Sequence, residues 1–315
     1  MTVQTKTLGK DGVSVTALGL GTWAWGDKLF WNYGDRYGQE QVESAFTAGV
    51  EAGITFFDTA EVYGLGESEN LLGRFMKKTA QHIDIATKYG PAPWRFGGDA
   101  VHDAVTNSLK RLQLNQITLY QVHWPFTFLM SQETLLNALA EEVKRGRITA
   151  VGVSNYSAEA MKQAADILAK KGVPLAVNQV QYSLLYRNIE REGIKKTADD
   201  LGVTILAYSP LAQGLLTGKY KPDYKPDGAR KLDPRFSEGG LKKIAPLLDL
   251  LTQLGQKYGK TPAQVSLNWL IAKPNVIPIP GAKTAQQAKD NAGALGWELT
   301  GEEVKQLDEI SLRVL

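Results

Sequence analysis

Short apolar runs alternate with amphipathic stretches from one end of the chain to the other. Each apolar run is four or five residues long, a length typical of a strand buried on both faces. The eight runs are Ala17–Leu20, Thr55–Asp58, Ile83–Thr87, Thr118–Val122, Ala150–Val153, Ala176–Val180, Thr204–Ala207 and Val276–Ile279. We predict one strand from each run.

Between these runs, apolar residues recur with the period of an α-helix. The face of the first such helix consists of Val42, Ala45, Phe46, Gly49 and Val50, and later faces fall within residues 101–112 and 135–143. Strands buried between two layers of helices belong to a parallel sheet. Eight β–α units therefore predict an α/β fold, a (β/α)8 TIM barrel. An open, doubly wound sheet is the alternative.

Three further segments lie outside the eight β–α units. Thr5–Leu8 and Val13–Thr16 flank an Asp-Gly turn, which predicts an N-terminal β-hairpin that plugs one end of the barrel. Lys219–Gly240 is rich in Lys, Pro, Asp and Gly and predicts a long loop. Additional C-terminal helices are predicted at Leu241–Tyr258 and from Pro262, where Thr261 opens a structural capping box. No linker divides the chain, so we predict one domain over residues 1–315.

Composition excludes several classes of function. With 43% hydrophobic residues the chain can fill a core, and a net charge of only +3 does not favour nucleic acid as a partner. The chain has no cysteine and three histidines, which argues against disulfides, thiolate catalysis and a bound metal. The sequence has neither a signal core nor an apolar run of membrane-spanning length. We therefore expect a cytoplasmic protein with no membrane partner.

Polar side chains with catalytic potential follow three successive predicted strands. Asp58 ends the second strand, Lys88 follows the third, and His123 follows the fourth, while Tyr63 lies just beyond Asp58. Active sites of α/β barrels form at the carboxyl ends of the strands, so these side chains are candidates for one pocket. Taken singly, each has an ordinary structural interpretation, such as a turn cap for Asp58 or a solvated lysine for Lys88.

Seven strings carry a family resemblance. FFDTAEVYG, ATKYG, HWP, VGVSNY, NQVQYS, AYSPLAQGLLTGKY and IPGAKTAQQAKDN resemble the aldo-keto reductase family, in the order of that family and over nearly the whole chain. The last two strings resemble its bacterial and plant branches and the β-subunits of voltage-gated potassium channels. The resemblance implies a barrel that reduces aldehydes and ketones with NADPH.

The resemblance also implies a catalytic tetrad of Asp58, Tyr63, Lys88 and His123. Tyr63 would protonate the alkoxide left by hydride addition, although a free tyrosine, with a pKa of about 10, is a poor acid at neutral pH. An ammonium about 4 Å away, at an effective dielectric near 20, favours the phenolate by roughly 4 kcal/mol. We therefore expect Lys88 to lower the pKa of Tyr63, Asp58 to hold Lys88 charged, and His123 to orient the carbonyl oxygen.

Three groups of residues are implied to bind NADPH. The nicotinamide group is Gly21, Thr22, Trp23, Asp58, Ser154, Asn155, Gln179 and the stacking residue Tyr208. The pyrophosphate group is Ser209, Pro210, Leu211, Gln213, Gly214 and Lys219. The adenosine group is Gly281, Lys283, Thr284, Gln287, Asp290 and Asn291. The loop after Lys219, with Arg230 and Arg235, is hypothesised to close over the cofactor.

The adenosine group includes a predicted helix N-terminus and a lysine, both of which favour an anion. Thr284-Ala-Gln-Gln287 has the pattern of a capping box, which places a helix N-terminus after the eighth strand. Such a terminus favours an anion, and Lys283 adds a positive charge suited to the 2′-phosphate of NADPH. Gly19–Ala24 fits a loose G-x-G-x-x-A, but tryptophans follow it in place of a helix, so we reject a Rossmann site there.

Tryptophans near the predicted strand ends indicate an aromatic mouth. Trp23, Trp94 and Trp124 are the predicted pocket residues, and Trp25 falls in the same region. Such a mouth suits small or planar apolar carbonyl compounds. The resemblance implies reactive aldehydes such as methylglyoxal or aromatic aldehydes as the first candidates, with pyridoxal as the alternative. A second class of function is an NADPH-binding regulatory subunit. That class would need an extended docking segment before the hairpin, so we expect an enzyme without an obligatory protein partner, acting as a monomer.

Overall fold

The computed structural model describes residues 4–220 and 233–315, and its main sheet has eight parallel strands. These strands are β3 (Leu20–Gly21), β4 (Phe56–Asp58), β5 (Asp84–Tyr89), β6 (Ile117–Val122), β7 (Ile148–Ser154), β8 (Leu175–Gln181), β9 (Thr204–Tyr208) and β10 (Val276–Pro278). Each strand pairs with the next one in the chain. All eight predicted strands are present.

The sheet closes on itself between its first and last strands. The amide of Gly19 donates to Pro278 O at 3.0 Å, and that of Gly21 donates to Pro280 O at 3.0 Å. Gly21 also forms a parallel bridge with Gly281. The TIM barrel is therefore confirmed, and the open-sheet alternative is wrong.

Helices surround the barrel and extend its C-terminal part. They are α1 (Lys28–Trp31), α2 (Gln39–Glu51), α3 (Glu67–Met76), α4 (Gly97–Leu112), α5 (Gln132–Lys144), α6 (Ala158–Ala169), α7 (Asn188–Arg191), α8 (Ile194–Leu201), α9 (Glu238–Tyr258), α10 (Pro262–Ala272), α11 (Ala285–Ala292) and α12 (Gly301–Val314). The predicted apolar face of α2 is buried. Thr261 and Gln264 form the predicted capping box of α10, with Pro262 in its first turn.

The predicted hairpin plugs one end of the barrel. β1 (Thr5–Thr7) pairs antiparallel with β2 (Ser14–Thr16). Leu8 and Val15 of this hairpin are buried in one cluster with the inward residues Phe56, Leu119 and Leu206. The amino-terminal end of the strands is thereby closed, which leaves their carboxyl ends for a site.

Two details differ from the sequence-based prediction. The first barrel strand was predicted at Ala17–Leu20, but β3 starts only at Leu20, because the amide of Ala17 pairs with Gln4 O beside the hairpin. α9 starts at Glu238, inside the predicted loop, since Ser237 caps it through Gly240 N. Arg230 and residues 221–232 of the hypothesised closing loop lie outside the described residues. Arg235 is described, and it donates to Asp233 Oδ2 at 2.7 Å and to Leu185 O at 3.3 Å. In the described part, no helix has the length and apolar content that crossing a membrane requires.

Candidate active site

Lys88 lies at the centre of a polar cluster at the carboxyl ends of β4 and β5. Its side chain is fully buried, and its ammonium donates to Asp58 Oδ1 at 2.6 Å, to Thr59 O at 2.7 Å and to Tyr63 Oη at 3.4 Å. Tyr63 reaches this point because the chain makes a 3-10 turn over Tyr63–Gly66 directly after β4. Three acceptors match the three N–H groups of an ammonium, so the buried charge is fully hydrogen-bonded.

The pKa values of this cluster correct one expectation. Burial raises the pKa of Tyr63, and the nearby Lys88 ammonium offsets that rise only in part. Burial lowers the pKa of Lys88, but the Asp58 carboxylate and Tyr63 outweigh it and the net direction is upward. The prediction that Lys88 brings the pKa of Tyr63 below its ordinary value is therefore wrong. The phenol keeps its proton at neutral pH, with the ammonium beside it.

Two glutamine side chains hold the second oxygen of Asp58. Gln179 Nε2 donates to Asp58 Oδ2 at 2.7 Å, and Gln121 Nε2 donates to the same atom at 3.2 Å. Gln179 Nε2 also donates to Gln121 Oε1 at 3.3 Å. The sequence analysis did not assign Gln121, although a glutamine within an apolar run, two residues before His123, was the available signal. In the structure this side chain is fully buried.

His123 lies at the same strand ends in an apolar setting. Its ring stacks on Trp124 with 3.8 Å between centroids and meets the Tyr63 ring edge-on at 5.7 Å. Burial, with a smaller contribution from the Lys88 charge, lowers the pKa of His123 to about 2. Its Nδ1 is buried and has no hydrogen-bond partner within the described residues. The imidazole is therefore neutral at pH 7 and can donate one hydrogen bond, but it does not act as a general acid there.

The residues predicted to hold the nicotinamide lie together at the ends of β7, β8 and β9. Asn155 Nδ2 donates to Ser154 Oγ at 3.0 Å and to His123 O at 3.2 Å, while Tyr208 Oη donates to Asn155 Oδ1 at 3.0 Å. Ser154 Oγ in turn donates to Gln179 O at 2.9 Å. Asn155 adopts a left-handed φ of 63°, a strained conformation of the kind found at functional sites.

Thr22 and Trp23 reach the cluster from the first barrel strand. Thr22 Oγ1 donates to Asp58 O at 3.0 Å. The Trp23 ring lies 6.3 Å from that of Tyr63. A Cβ at Gly21 would come within 3.1 Å of Ile279 O, so the backbone that follows β10 packs closely against this glycine. The segment that follows β3 thus places the Trp23 ring beside Tyr63.

The predicted pyrophosphate residues form a tight turn after β9. Ser209 and Gln213 have left-handed φ values of 51° and 55°, and Gly214 has a φ of 95°. The Lys219 side chain returns to this turn, since a Cβ at Gly214 would meet Lys219 Cε at 3.3 Å. Leu211 and the buried Pro210 connect the turn to the strand. The turn therefore combines a left-handed backbone with a nearby cation.

The predicted adenosine residues surround the start of α11. Thr284 Oγ1 accepts from Gln287 N at 3.3 Å, but Gln287 Oε1 accepts from Lys283 N at 2.7 Å. Only half of the predicted capping box is thus present, because the glutamine side chain reaches one residue further back. Asn291 is buried and donates to Gly281 O at 3.2 Å, while Asp290 Oδ1 accepts from Gln286 Nε2 at 2.8 Å.

The α11 terminus suits an anion. Its leading amides have no partner within the helix, and Lys283 precedes them by two residues. Gly281 keeps the adjacent backbone accessible, since a Cβ there would meet only Gly21 O, at 3.7 Å. These features fit a phosphate group of NADPH.

Aromatic rings line the mouth beside His123. Trp124 stacks at 5.8 Å on Phe126, which meets Phe128 edge-on at 5.4 Å. Trp23 is 46% exposed and Trp94 is 75% exposed. The sequence analysis did not name the two phenylalanines. Trp25 is not part of the mouth, because it is fully buried and donates to Ala282 O at 2.7 Å.

An ion pair joins the turn that carries Tyr63 to the loop after β5. Glu61 accepts from the amide of Gly90 at 2.5 Å and from Arg95 Nη2 at 3.0 Å. The Arg95 guanidinium lies 4.8 Å from the centroid of the Tyr89 ring.

The described residues include no cluster of three or more His, Cys, Asp or Glu that could hold a metal ion.

Comparisons with known proteins agree on one family. The sequence model of the aldo/keto reductase family matches residues 17–312. The chain is 41% identical to the chloroplastic pyridoxal reductase of Arabidopsis thaliana, over 94% of this chain and 83% of that protein.

Solved structures give the same result. Glycerol dehydrogenase AKR11B4 from Gluconobacter oxydans is 30% identical with a TM-score of 0.87, over 100% of this chain and 97% of that one. An aldo/keto reductase from Klebsiella pneumoniae, in complex with NADP and acetate, is 30% identical with a TM-score of 0.74, over 98% of this chain and 95% of that one.

Proposed function

The chain belongs to the aldo/keto reductase family, and we propose that it reduces aldehydes and ketones to alcohols with NADPH, using Tyr63 as the proton donor. The contact that carries this proposal is the 3.4 Å between Lys88 Nζ and Tyr63 Oη, with Lys88 itself bound to Asp58. A phenol that keeps its proton at neutral pH and has a fixed cation beside it is suited to protonating a strong base such as an alkoxide.

The residues of the cluster take distinct parts in this reaction. NADPH, when bound, supplies a hydride to the carbonyl carbon. Tyr63 Oη gives its proton to the carbonyl oxygen, and Lys88 stabilises the phenolate that remains. Asp58 fixes Lys88, and the neutral His123 ring donates a hydrogen bond that orients the carbonyl oxygen.

The cofactor groups defined above would together hold NADPH at the carboxyl ends of the strands. We propose that Ser154, Asn155 and Gln179 hold the carboxamide and that Tyr208 stacks on the nicotinamide. The turn over residues 209–214, with Lys219, receives the pyrophosphate. The start of α11 receives the 2′-phosphate beside Lys283, which favours NADPH over NADH.

Aromatic aldehydes are the substrate class that the mouth supports best. The Trp124 ring stacks on His123, which would orient the carbonyl oxygen, and the Phe126 ring stacks on Trp124. A planar aldehyde can lie along this face with its carbonyl towards Tyr63. Small aldehydes such as methylglyoxal would enter the same mouth but use less of the face.

Pyridoxal is the second candidate, and one observation favours it. It is an aromatic aldehyde, and the relative at 41% identity carries the name pyridoxal reductase.

We also propose that residues 1–315 act as a single domain, as one subunit and in the cytoplasm. The largest buried cluster extends from Ala17 to Val314, which supports the single domain.

The test follows NADPH absorbance with purified protein and nitrobenzaldehyde, pyridoxal or methylglyoxal, with NADH in parallel. We expect turnover of all three aldehydes, a lower KM for the two aromatic ones, and a preference for NADPH. If NADPH binds but no aldehyde or ketone is reduced, the catalytic proposal fails and a cofactor-sensing regulatory subunit takes its place. Chromatography of the same sample tests the monomer.

A further inference from the structure

Glu61 joins the segment that carries Tyr63 to the segment that carries Lys88. It lies two residues before Tyr63, and its amide donates to Lys88 O at 3.4 Å. Its side chain is only 7% exposed and accepts from the amide of Gly90 at 2.5 Å. Gly90 lies two residues after Lys88. Glu61 therefore connects the two segments through both its backbone and its side chain.

The Glu61 carboxylate takes the place of a backbone acceptor of the barrel sheet. In a parallel ladder that continued beyond the bond to Lys88 O, the amide of Gly90 would donate to Glu61 O. The side-chain oxygen accepts that hydrogen bond instead. The backbone meanwhile turns away from the sheet, and the amide of Tyr63 donates to Ala60 O at 3.0 Å. The carboxylate thus ends the strand pairing at the point where the turn with Tyr63 begins.

Arg95 fixes the Glu61 carboxylate from the loop after β5. Arg95 Nη2 donates to Glu61 Oε2 at 3.0 Å, and Arg95 Nη1 donates to Gly90 O at 3.0 Å. The amide of Gly90 binds the other carboxylate oxygen, so both oxygens of Glu61 have donors. Charge-assisted bonds to both oxygens specify the orientation of a carboxylate as well as pairing its charge.

The two segments approach each other closely beside Tyr63. A Cβ at Gly90 would come within 2.7 Å of Val62 Cγ1, so a larger residue there would push the Val62 side chain or the turn aside. At the far end of the turn, a Cβ at Gly66 would meet Arg111 Cδ at 2.8 Å. The turn is therefore packed at both ends, and the Glu61 contacts hold its first residues against the Lys88 segment.

We propose that Glu61 is a positioning residue for Tyr63: its carboxylate, fixed by Arg95, holds the turn that carries the phenol against the segment that carries Lys88. This inference rests on the proposed function, in which Tyr63 is the proton donor. A displacement of about 1 Å at a reacting group can cost about 100-fold in rate, so the effect of Glu61 is large enough to measure.

Glu61 acts on Tyr63 by setting a distance. Beyond burial, the charges that shift the pKa of Tyr63 are those of Lys88, which lowers it, and Asp58, which raises it. The 3.4 Å between Lys88 Nζ and Tyr63 Oη fixes how strongly the ammonium stabilises the phenolate. Loosening the turn lengthens this distance, which weakens the stabilisation and displaces the proton donor from the carbonyl oxygen.

The test compares Glu61→Met, which removes the acceptor for Gly90 N, with Glu61→Gln, which keeps an oxygen in its place. Glu142→Met is the matched control, because it removes another buried carboxylate that binds an arginine, Arg147, close to the start of β7 and at the other end of the barrel from Tyr63. We expect single-turnover reduction to fall roughly 10- to 100-fold in Glu61→Met with an unchanged Kd of NADPH. Glu61→Gln should stay within a fewfold of wild type, and Glu142→Met should keep the wild-type rate.

The pH profile supplies a readout that a general loss of stability would not move. The Lys88 ammonium lowers the pKa of Tyr63, so a longer distance between them raises that pKa further. The fall of kcat/KM at high pH should therefore begin at a higher pH in Glu61→Met, but not in Glu61→Gln or Glu142→Met. A wild-type rate and profile in Glu61→Met, or equal losses in Glu61→Met and Glu142→Met, would overturn the proposal.

Nuclear magnetic resonance of protein labelled with ¹³C at tyrosine Cζ gives a readout that needs no turnover. The Tyr63 signal is assigned by its absence in Tyr63→Phe, and we expect it to shift in Glu61→Met but not in Glu61→Gln or Glu142→Met. An unmoved signal in Glu61→Met would overturn the inference. Failure of the proposed function is distinguishable: an inactive protein that shows the expected shift refutes reduction but not the positioning of Tyr63 by Glu61.

Discussion

Lys88 Nζ lies 3.4 Å from Tyr63 Oη, and the lysine has no exposed surface. This contact defines how the proton is handled, because the pKa of each partner is raised. At neutral pH the pair consists of a phenol and an ammonium. The charge of Lys88 is therefore used when the phenolate forms during reduction, rather than to ionise Tyr63 in advance.

Removing the Lys88 charge should separate stability from catalysis. Lys88→Met leaves the buried Asp58 carboxylate unpaired, so we expect a loss of about 3–5 kcal/mol in the free energy of unfolding. Adding Asp58→Asn removes that unpaired charge and should restore much of the stability, as measured by urea unfolding. Reduction should stay about 100-fold or more below wild type in both variants. Recovery of activity in the double variant would contradict the role given to Lys88.

The pH dependence follows from the direction of the shifts. The pKa of His123 is lowered to about 2 and that of Tyr63 is raised, so neither group changes protonation near neutrality. We expect kcat/KM for reduction to be level between about pH 6 and 9, and to fall at higher pH as Tyr63 loses its proton. Alcohol oxidation needs the phenolate as base, so its rate should rise with pH. A step in reduction near pH 6.5, where an ordinary histidine titrates, would show that His123 supplies the proton.

Gln121 should support Asp58 through a hydrogen bond to a buried charge. Gln121→Met removes the donor 3.2 Å from Asp58 Oδ2, and we expect about 1.5–3 kcal/mol of lost stability and a lower kcat. Gln116→Met is the matched control, because that exposed glutamine only donates to Gly146 O and should change stability by less than about 0.5 kcal/mol. Equal unfolding midpoints for the two variants would show that Gln121 does not stabilise the Asp58 carboxylate.

The aromatic face should distinguish substrates by size. Trp124→Ala removes the ring stacked on His123, so we expect the KM for nitrobenzaldehyde to rise about tenfold and that for methylglyoxal to change much less. Trp94→Ala is the comparison, because Trp94 is mostly exposed and should have a smaller effect on either aldehyde. A uniform change for both aldehydes in Trp124→Ala would show that Trp124 acts on His123 rather than on the substrate.

The periodic part of the fold could be predicted from the sequence. Strand runs and helix faces depend on local apolar spacing, which is why α2 and the hairpin lie where they were expected. The first strand was misplaced because Ala17 and Leu18 are as apolar and as buried as a strand, although the Ala17 amide bonds to Gln4 O rather than to a barrel strand. Hydrophobicity alone cannot distinguish a buried connection from a buried strand.

The side-chain network of the site was less predictable. The motifs placed Asp58 and Lys88 on adjacent strand ends, and the contact between them followed. Gln121 and the Glu61 contacts with Gly90 and Arg95 were missed, because they depend on which rotamers meet across distant segments. The pKa of Tyr63 was misjudged for a related reason: the sequence reveals the neighbouring charge but not the extent of desolvation, which is larger here.

The most direct test of Tyr63 as the proton donor compares two tyrosine-to-phenylalanine variants. Tyr63→Phe removes the hydroxyl that lies 3.4 Å from Lys88 Nζ. Tyr258→Phe removes the hydroxyl of the last residue of α9, which donates to Glu303 Oε2. We measure single-turnover reduction of nitrobenzaldehyde and, in the same samples, the Kd of NADPH. We expect Tyr63→Phe to lose about 100-fold or more in rate with an unchanged Kd, and Tyr258→Phe to retain the wild-type rate. Reduction by Tyr63→Phe at a rate within a fewfold of wild type would contradict the proposal.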